Sequence, residues 1–158
     1  AQTGHLVLST LHTNDAPTTL TRLVDMGVKP YAIATSVRLI IAQRLARKLC
    51  DSCKELLDIP AEALLAEGFS QEEINDGLKI YGPVGCNVCD GGYKGRAGIF
   101  QVMEVSEDTA RIIMKGGNAT DIADQAAKEG FWDLRRSGLE KVKEGITSLE
   151  EINRVTVS

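Results

Sequence analysis

A chain of 158 residues, 43% of them hydrophobic, can bury one core, or one core with a small appendage. No apolar run approaches the roughly 18 to 20 residues of a membrane span, and the first residues lack the basic-then-apolar layout of a signal peptide, so the expectation is a soluble, cytosolic protein. A net charge of −4 with 4% aromatic residues argues against a nucleic-acid surface, which needs a basic face and stacking rings.

From the N-terminus, Leu6-Val7-Leu8-Ser9-Thr10 is apolar, partly β-branched and bounded by Gly4 and a polar cluster, which predicts a short buried strand. Asn14 or Asp15 is a natural N-cap for a helix with Pro17 in its first turn, Leu20, Leu23 and Val24 on one face, and Gly27 at its end. Pro30 opens a longer helix, in which Ile33, Val37, Ile40, Ile41, Leu45 and Leu49 keep a 3.6-residue period to about Cys50. Residues 54–85 carry two basic against seven acidic side chains and read as a peripheral insertion of two short helices, 60–67 and 70–76. After the glycines of 91–98, residues 99–105 alternate as a strand does. Helical signals then cover 107–115, 120–129, 131–143 and 149–154, the last with Thr147 and Glu150 at capping-box spacing.

The cysteines give the strongest local signal. All four occur as two C-x-x-C pairs, Cys50/Cys53 and Cys86/Cys89, with none left over. Two residues between ligands let one tight turn aim both thiolates at a single ion, and two such turns complete the tetrahedral shell that Zn²⁺ accepts. A closed four-thiolate shell leaves no position for water, so the zinc would be structural. Two disulfides are disfavoured without an export signal, and four buried thiols would not need this pairing. The nearby "GGYKGRAG" lacks G-x-x-x-x-G-K-[ST] spacing and leads into a strand, so its glycines serve turns beside the metal rather than a phosphate loop.

His5 and His12 admit several readings. Seven residues apart on one strand they point to opposite faces, which disfavours joint chelation, and no H-E-x-x-H helix is present. Ser9 lacks the glycines of a nucleophile elbow, which disfavours a triad. Ordinary strand and loop histidines without a chemical role remain open. So does contact with a bound anion, because the order strand, Ser9, Thr10, His12, Thr13, Asn14, Asp15, helix matches the ligand crevice at the carboxyl end of an α/β sheet strand.

Four stretches, "AQTGHLVLSTLHTNDA", "SVRLIIAQRLARKLC", "GCNVCDGGYKGRAGIFQVMEVS" and "LRRSGLEKVKEGITSLEEINRVT", closely resemble the C-terminal part of the type II/type IV secretion ATPase superfamily. The resemblance covers essentially the whole chain. It lies nearest the type IV pilus assembly ATPases, with the type II protein secretion ATPases next. It implies an α/β fold: the C-terminal part of a RecA-like P-loop ATPase core in 1–49, a tetracysteine zinc-binding subdomain in 50–98, and a mainly helical C-terminal region in 99–158.

On the same resemblance His5 and His12 are His-box residues with a catalytic role facing the nucleotide's terminal phosphate, and Thr10 and Thr13 are neighbouring nucleotide contacts. Cys50, Cys53, Cys86 and Cys89 align with the zinc motif, while Arg44 and Arg47 belong to the ATPase core or a subunit interface. ATP and Mg²⁺ are the implied cofactors of the intact enzyme. The implied setting is a homohexamer on the cytoplasmic side of the inner membrane, acting on a membrane platform protein, with no nucleic acid and no transmembrane segment of its own. The Walker A, Asp-box and Walker B segments that precede the His box in this family have no counterpart here, so the expectation is a fragment inactive by itself. The competing reading from another class is a non-enzymatic, zinc-stabilised protein-interaction module.

Overall fold

The computed structural model describes residues 1–156. Among these are eight helices and four strands, the strands forming two separate two-stranded sheets. The chain divides into two compact units, 1–43 with 100–133, and 44–99 with 134 onward.

In the first unit α1 (Ala16–Asp25) begins where the sequence signals it. Asp15 is extended at the N-cap and its carboxylate accepts the Thr18 N–H at 2.8 Å. Its buried face is Ala16, Pro17, Thr19 and Leu20, whereas Val24 faces solvent. The Ala16 N–H, which no helical carbonyl can satisfy, donates to the buried Gln101 Oε1 at 3.0 Å. α2 (Pro30–Ser36), α5 (Glu107–Met114) and α6 (Ala119–Lys128) pack with α1 around Leu20, Ile33, Ile113 and Ile122. Ser106 and Asn118 cap α5 and α6.

The long helix expected over 30–50 is not formed. α2 stops at Ser36, and 39–49 is strand β1 (Leu39–Leu49), in which Ile40, Ala42 and Ala46 are buried at alternate positions. Periods of 3.6 and 2 both fit this apolar run. The ladder with β4 (Tyr93–Glu104) decides between them, supported by the β-branched Ile40 and Ile41. Val105 N–H donates to Arg38 O and Cys50 N–H to Gly92 O, so β1 and β4 run antiparallel. The strand expected at 6–10 is also absent: Leu6 and Leu8 are 91% and 89% exposed, and no described strand pairs with this segment. Without a ladder an apolar pentapeptide gains too little to offset its ordering entropy.

In the second unit the acidic insertion has more order than its composition suggested. β2 (Glu55–Leu57) pairs antiparallel with β3 (Ile80–Gly82), Glu55 opposite Gly82 and Leu57 opposite Ile80. Between them lie α3 (Ala61–Glu67) and α4 (Gln71–Asn75), with a Ser70/Glu73 capping box on α4. Leu64, Phe69 and Ile80 are buried. Ion pairs tie the insertion to α7 (Leu134–Lys143): Glu67 to Arg135 at 2.6 Å, and Glu73 to Arg136 and Lys143 at 2.5 and 2.7 Å. α8 (Leu149–Thr156) packs on α7. Its cap is one residue later than the spacing suggested, because Ser148 Oγ accepts the Glu151 N–H while Thr147 Oγ1 donates to Arg47 O.

Candidate metal centre

Strand β1 ends at Leu49, and the chain turns at once through Cys50 to Cys53. Cys53 and Lys54 N–H groups both donate to Cys50 O, which folds the first pair into a tight turn. Cys89 N–H donates to Cys86 O in the second pair, which enters from β3 and leaves into β4. The hydrogen bond from Cys50 N–H to Gly92 O, 2.8 Å, holds the two turns together.

The four Sγ atoms lie within 4.8 Å of one another and could hold a metal ion. Cys50 and Cys86 sulfurs are 3.9 Å apart, Cys53 and Cys89 3.8 Å, and Cys86 and Cys89 3.5 Å. A tetrahedron with metal–sulfur bonds of about 2.3 Å has edges of about 3.8 Å, so these separations suit one ion. They are far longer than a disulfide bond of about 2.05 Å, and all four cysteines are free. Gly85 N–H points at Cys53 Sγ (3.3 Å) and Cys86 N–H at Cys89 Sγ (3.2 Å), donors that stabilise thiolates. Burial pushes the Cys53 thiol up to about 11. At Cys89 burial acts the same way but is outweighed by the N–H groups of Cys86 and Gly92 and the Cys86 thiol, and the value falls to about 7. Those donors favour the thiolate form of Cys89, the form that binds a metal ion.

The His-box candidates are not assembled into a site. His5 and His12 are both exposed; Thr3 Oγ1 lies 3.2 Å from His5 Nδ1, and no hydrogen bond engages His12 among the described residues. Thr10 is exposed too, whereas Thr13 Oγ1 is 2.7 Å from Thr19 Oγ1. Arg44 is half-buried on β1.

Sequence reasoning missed the setting of Arg47. Its guanidinium lies 4.1 Å over the Tyr93 ring and donates through Nε (3.1 Å) and Nη2 (2.8 Å) to Glu151, whose side chain is 0% exposed. Arg154 donates to the same carboxylate from the next turn of α8. Glu151 was visible only as a capping-box neighbour in "SLEEI"; a separation of 104 residues from its partner leaves no local signal.

These carboxylates set an acid limit. Burial opposes ionisation of Glu151, but the hydrogen bonds from Arg154 and Arg47 prevail and lower it from 4.5 to about 2. Glu73 is lowered further by Arg136, Lys143 and the Ser70 N–H. A carboxyl depressed in the folded state contributes stability that is complete above its unfolded value and is lost as pH falls through its folded one. Urea unfolding followed by circular dichroism should therefore show stability falling steeply between about pH 4.5 and 2. Glu73→Gln combined with Glu151→Gln should flatten that slope while lowering stability at pH 7.

A mixed helix and strand chain with two cysteine turns closing one tetrahedral sulfur cluster is the class defined so far. The family described as "Type II/IV secretion system protein" matches residues 1–154, and the chain belongs to it. The type IV pilus assembly ATPase PilB of Pseudomonas aeruginosa is 60% identical over 156 residues, 99% of this chain and 27% of that protein. PilB of Myxococcus xanthus is 44% identical over 154 residues, 96% of this chain and 27% of the relative. Type II secretion system protein E of Klebsiella pneumoniae is 43% identical over 155 residues, 98% and 30%. The chain thus spans between a quarter and a third of these relatives' length. No described helix is long and apolar enough to cross a membrane.

Proposed function

We propose that this chain is the C-terminal part of a hexameric ATPase that powers type IV pilus assembly, and that its four cysteines hold a structural Zn²⁺. The observation that carries the pilus reading is the identity of 60% to a pilus assembly ATPase against 43% to a type II secretion protein, both along nearly the whole chain. The sulfur tetrahedron supports zinc. Bound there, the ion supplies cross-linking rather than catalysis, since four thiolates complete its shell.

Residues 1–49 contribute to a RecA-like core, 50–98 form the zinc subdomain and 99–158 the helical region. His5 and His12 sense the terminal phosphate of ATP bound with Mg²⁺, beside Thr10 and Thr13. Their exposure is consistent with facing a nucleotide, and Asp15, already capping α1, keeps that helix N-terminus from serving as the phosphate cradle. The cradle comes from the part of the relatives that this sequence does not match. A homohexamer at the cytoplasmic face of the inner membrane would pass the resulting domain motions to a platform protein.

The test uses the full-length protein. ATP turnover should fall about 100-fold in His12→Ala, the loss typical of one polar contact to developing charge. The 158-residue chain alone should show none, and disruption of the gene should abolish surface pili. Secreted proteins retained in the cell with pili intact would favour the type II secretion reading. Turnover by the 158-residue chain, abolished by His12→Ala, would overturn the assignment of catalysis to the missing part. A full-length protein without ATPase activity would leave the interaction module.

A further inference from the structure

We propose that Glu151 on α8 is a positioning residue for the metal centre, setting the separation of the two cysteine turns without touching either. The inference rests on the reading that the cysteines hold a metal ion.

The C-terminal run grips β1 immediately before Cys50. Thr147 Oγ1 donates to Arg47 O at 2.7 Å, Leu49 N–H to Ile146 O at 2.8 Å, and Arg47 N–H to Glu151 Oε1 at 2.9 Å. The same run holds the strand that leaves the second turn. Tyr93 Oη lies 2.7 Å from Ser148 Oγ, and its ring is covered by the Arg47 guanidinium that Glu151 fixes. Tyr93 follows Gly92, whose carbonyl receives the Cys50 N–H, and it forms a two-bond bridge with Asp90, the residue after Cys89. Both sulfur pairs are therefore carried on backbone held by the 146–151 run, within which the Glu151 carboxylate fixes Arg47 against the Tyr93 ring.

A buried, doubly paired carboxylate is a poor way to gain stability, because an apolar side chain of similar volume often serves as well. It does fix directions and distances that an apolar contact would leave loose. Coupling of this kind is reciprocal: if the clasp favours the metal-ready geometry, the metal favours docking of α8.

The test is Zn²⁺ affinity of the 158-residue chain by chelator competition, with Co²⁺ substitution to read ligand geometry. Glu151→Gln, and separately Thr147→Val, should weaken Zn²⁺ binding roughly 3- to 30-fold. Both should alter the visible Co²⁺ bands, and α8 amides should exchange faster after chelation. Leu139→Ala, a buried change on α7 away from these hydrogen bonds, should lower stability yet leave affinity and spectrum unchanged. Folded variants with wild-type affinity and spectrum would overturn the proposal, as would an equal effect from Leu139→Ala. If the wild-type chain takes up neither ion, the metal reading itself has failed.

Discussion

Removing the metal from the purified chain is expected to release one ion per chain and to unfold the cysteine turns with the short strands β2 and β3. Four sulfurs packed within 4.8 Å have no covalent link, and β2 pairs with β3 over only three residues. Structural zinc in small sites supplies on the order of 10 kcal/mol or more of apparent folding free energy, far above what three strand pairs provide. Loss of the ion also restores to the loop between the turns the entropy that closure removed. Hydrogen exchange before and after chelation should show protection lost first at 50–57 and 80–92. Protection at α3 and α4 should last longer, because Leu64 and Phe69 are buried and Glu67 and Glu73 remain paired to α7. Unchanged exchange and an unchanged melting temperature after complete metal removal would show that the cluster is not a structural site.

What the sequence made legible was what its local chemistry encodes. Asp15 before Pro17, Ser70 three residues before Glu73 and the glycine after α3 mark helix ends through hydrogen bonds a few residues long, and those helices formed. Residues 39–49 have an ambiguous period in isolation, and only the distant partner strand at 93–104 resolves it. Gln101 shows the same limit. On the alternating strand 99–105 it sits inward with Ile99 and Met103, where a polar residue is unexpected, because α1 needs an acceptor for Ala16 N–H. The segment 6–10 failed in the opposite direction: its apolar pattern fits a sheet that the described residues do not supply.

The metal centre was legible because C-x-x-C spacing constrains a short turn, and the sulfur geometry follows it. Its supports were not, since Arg47, Tyr93, Ser148 and Glu151 meet only through tertiary packing. The histidines stand between these cases. Resemblance gives them a role, but their own surroundings here are solvent and Thr3.

Gly92→Ala is expected to cost about 3 to 5 kcal/mol, combining a left-handed backbone penalty with overpacking that cannot relax. At φ +92° an L side chain is strained, and its Cβ would lie 2.5 Å from Pro83 Cβ and 2.8 Å from both Pro83 Cα and Val84 N. Two of those three atoms are backbone, so either the approach to the second cysteine turn or the start of β4 must move. Gly92 O is the acceptor for Cys50 N–H and its own N–H lowers the Cys89 thiol, so either movement disturbs both sulfur pairs. Gly91 provides the internal comparison: its φ of +57° is ordinary left-handed backbone and nothing lies within 4 Å of its Cβ position, so Gly91→Ala should cost only about 1 kcal/mol. Urea unfolding in excess zinc, with metal content measured on the folded protein, separates the two. Gly92→Ala should lose both stability and zinc while Gly91→Ala keeps its ion. Equal and small effects at both positions would mean that the close contact with Pro83 does not hold the second turn in place.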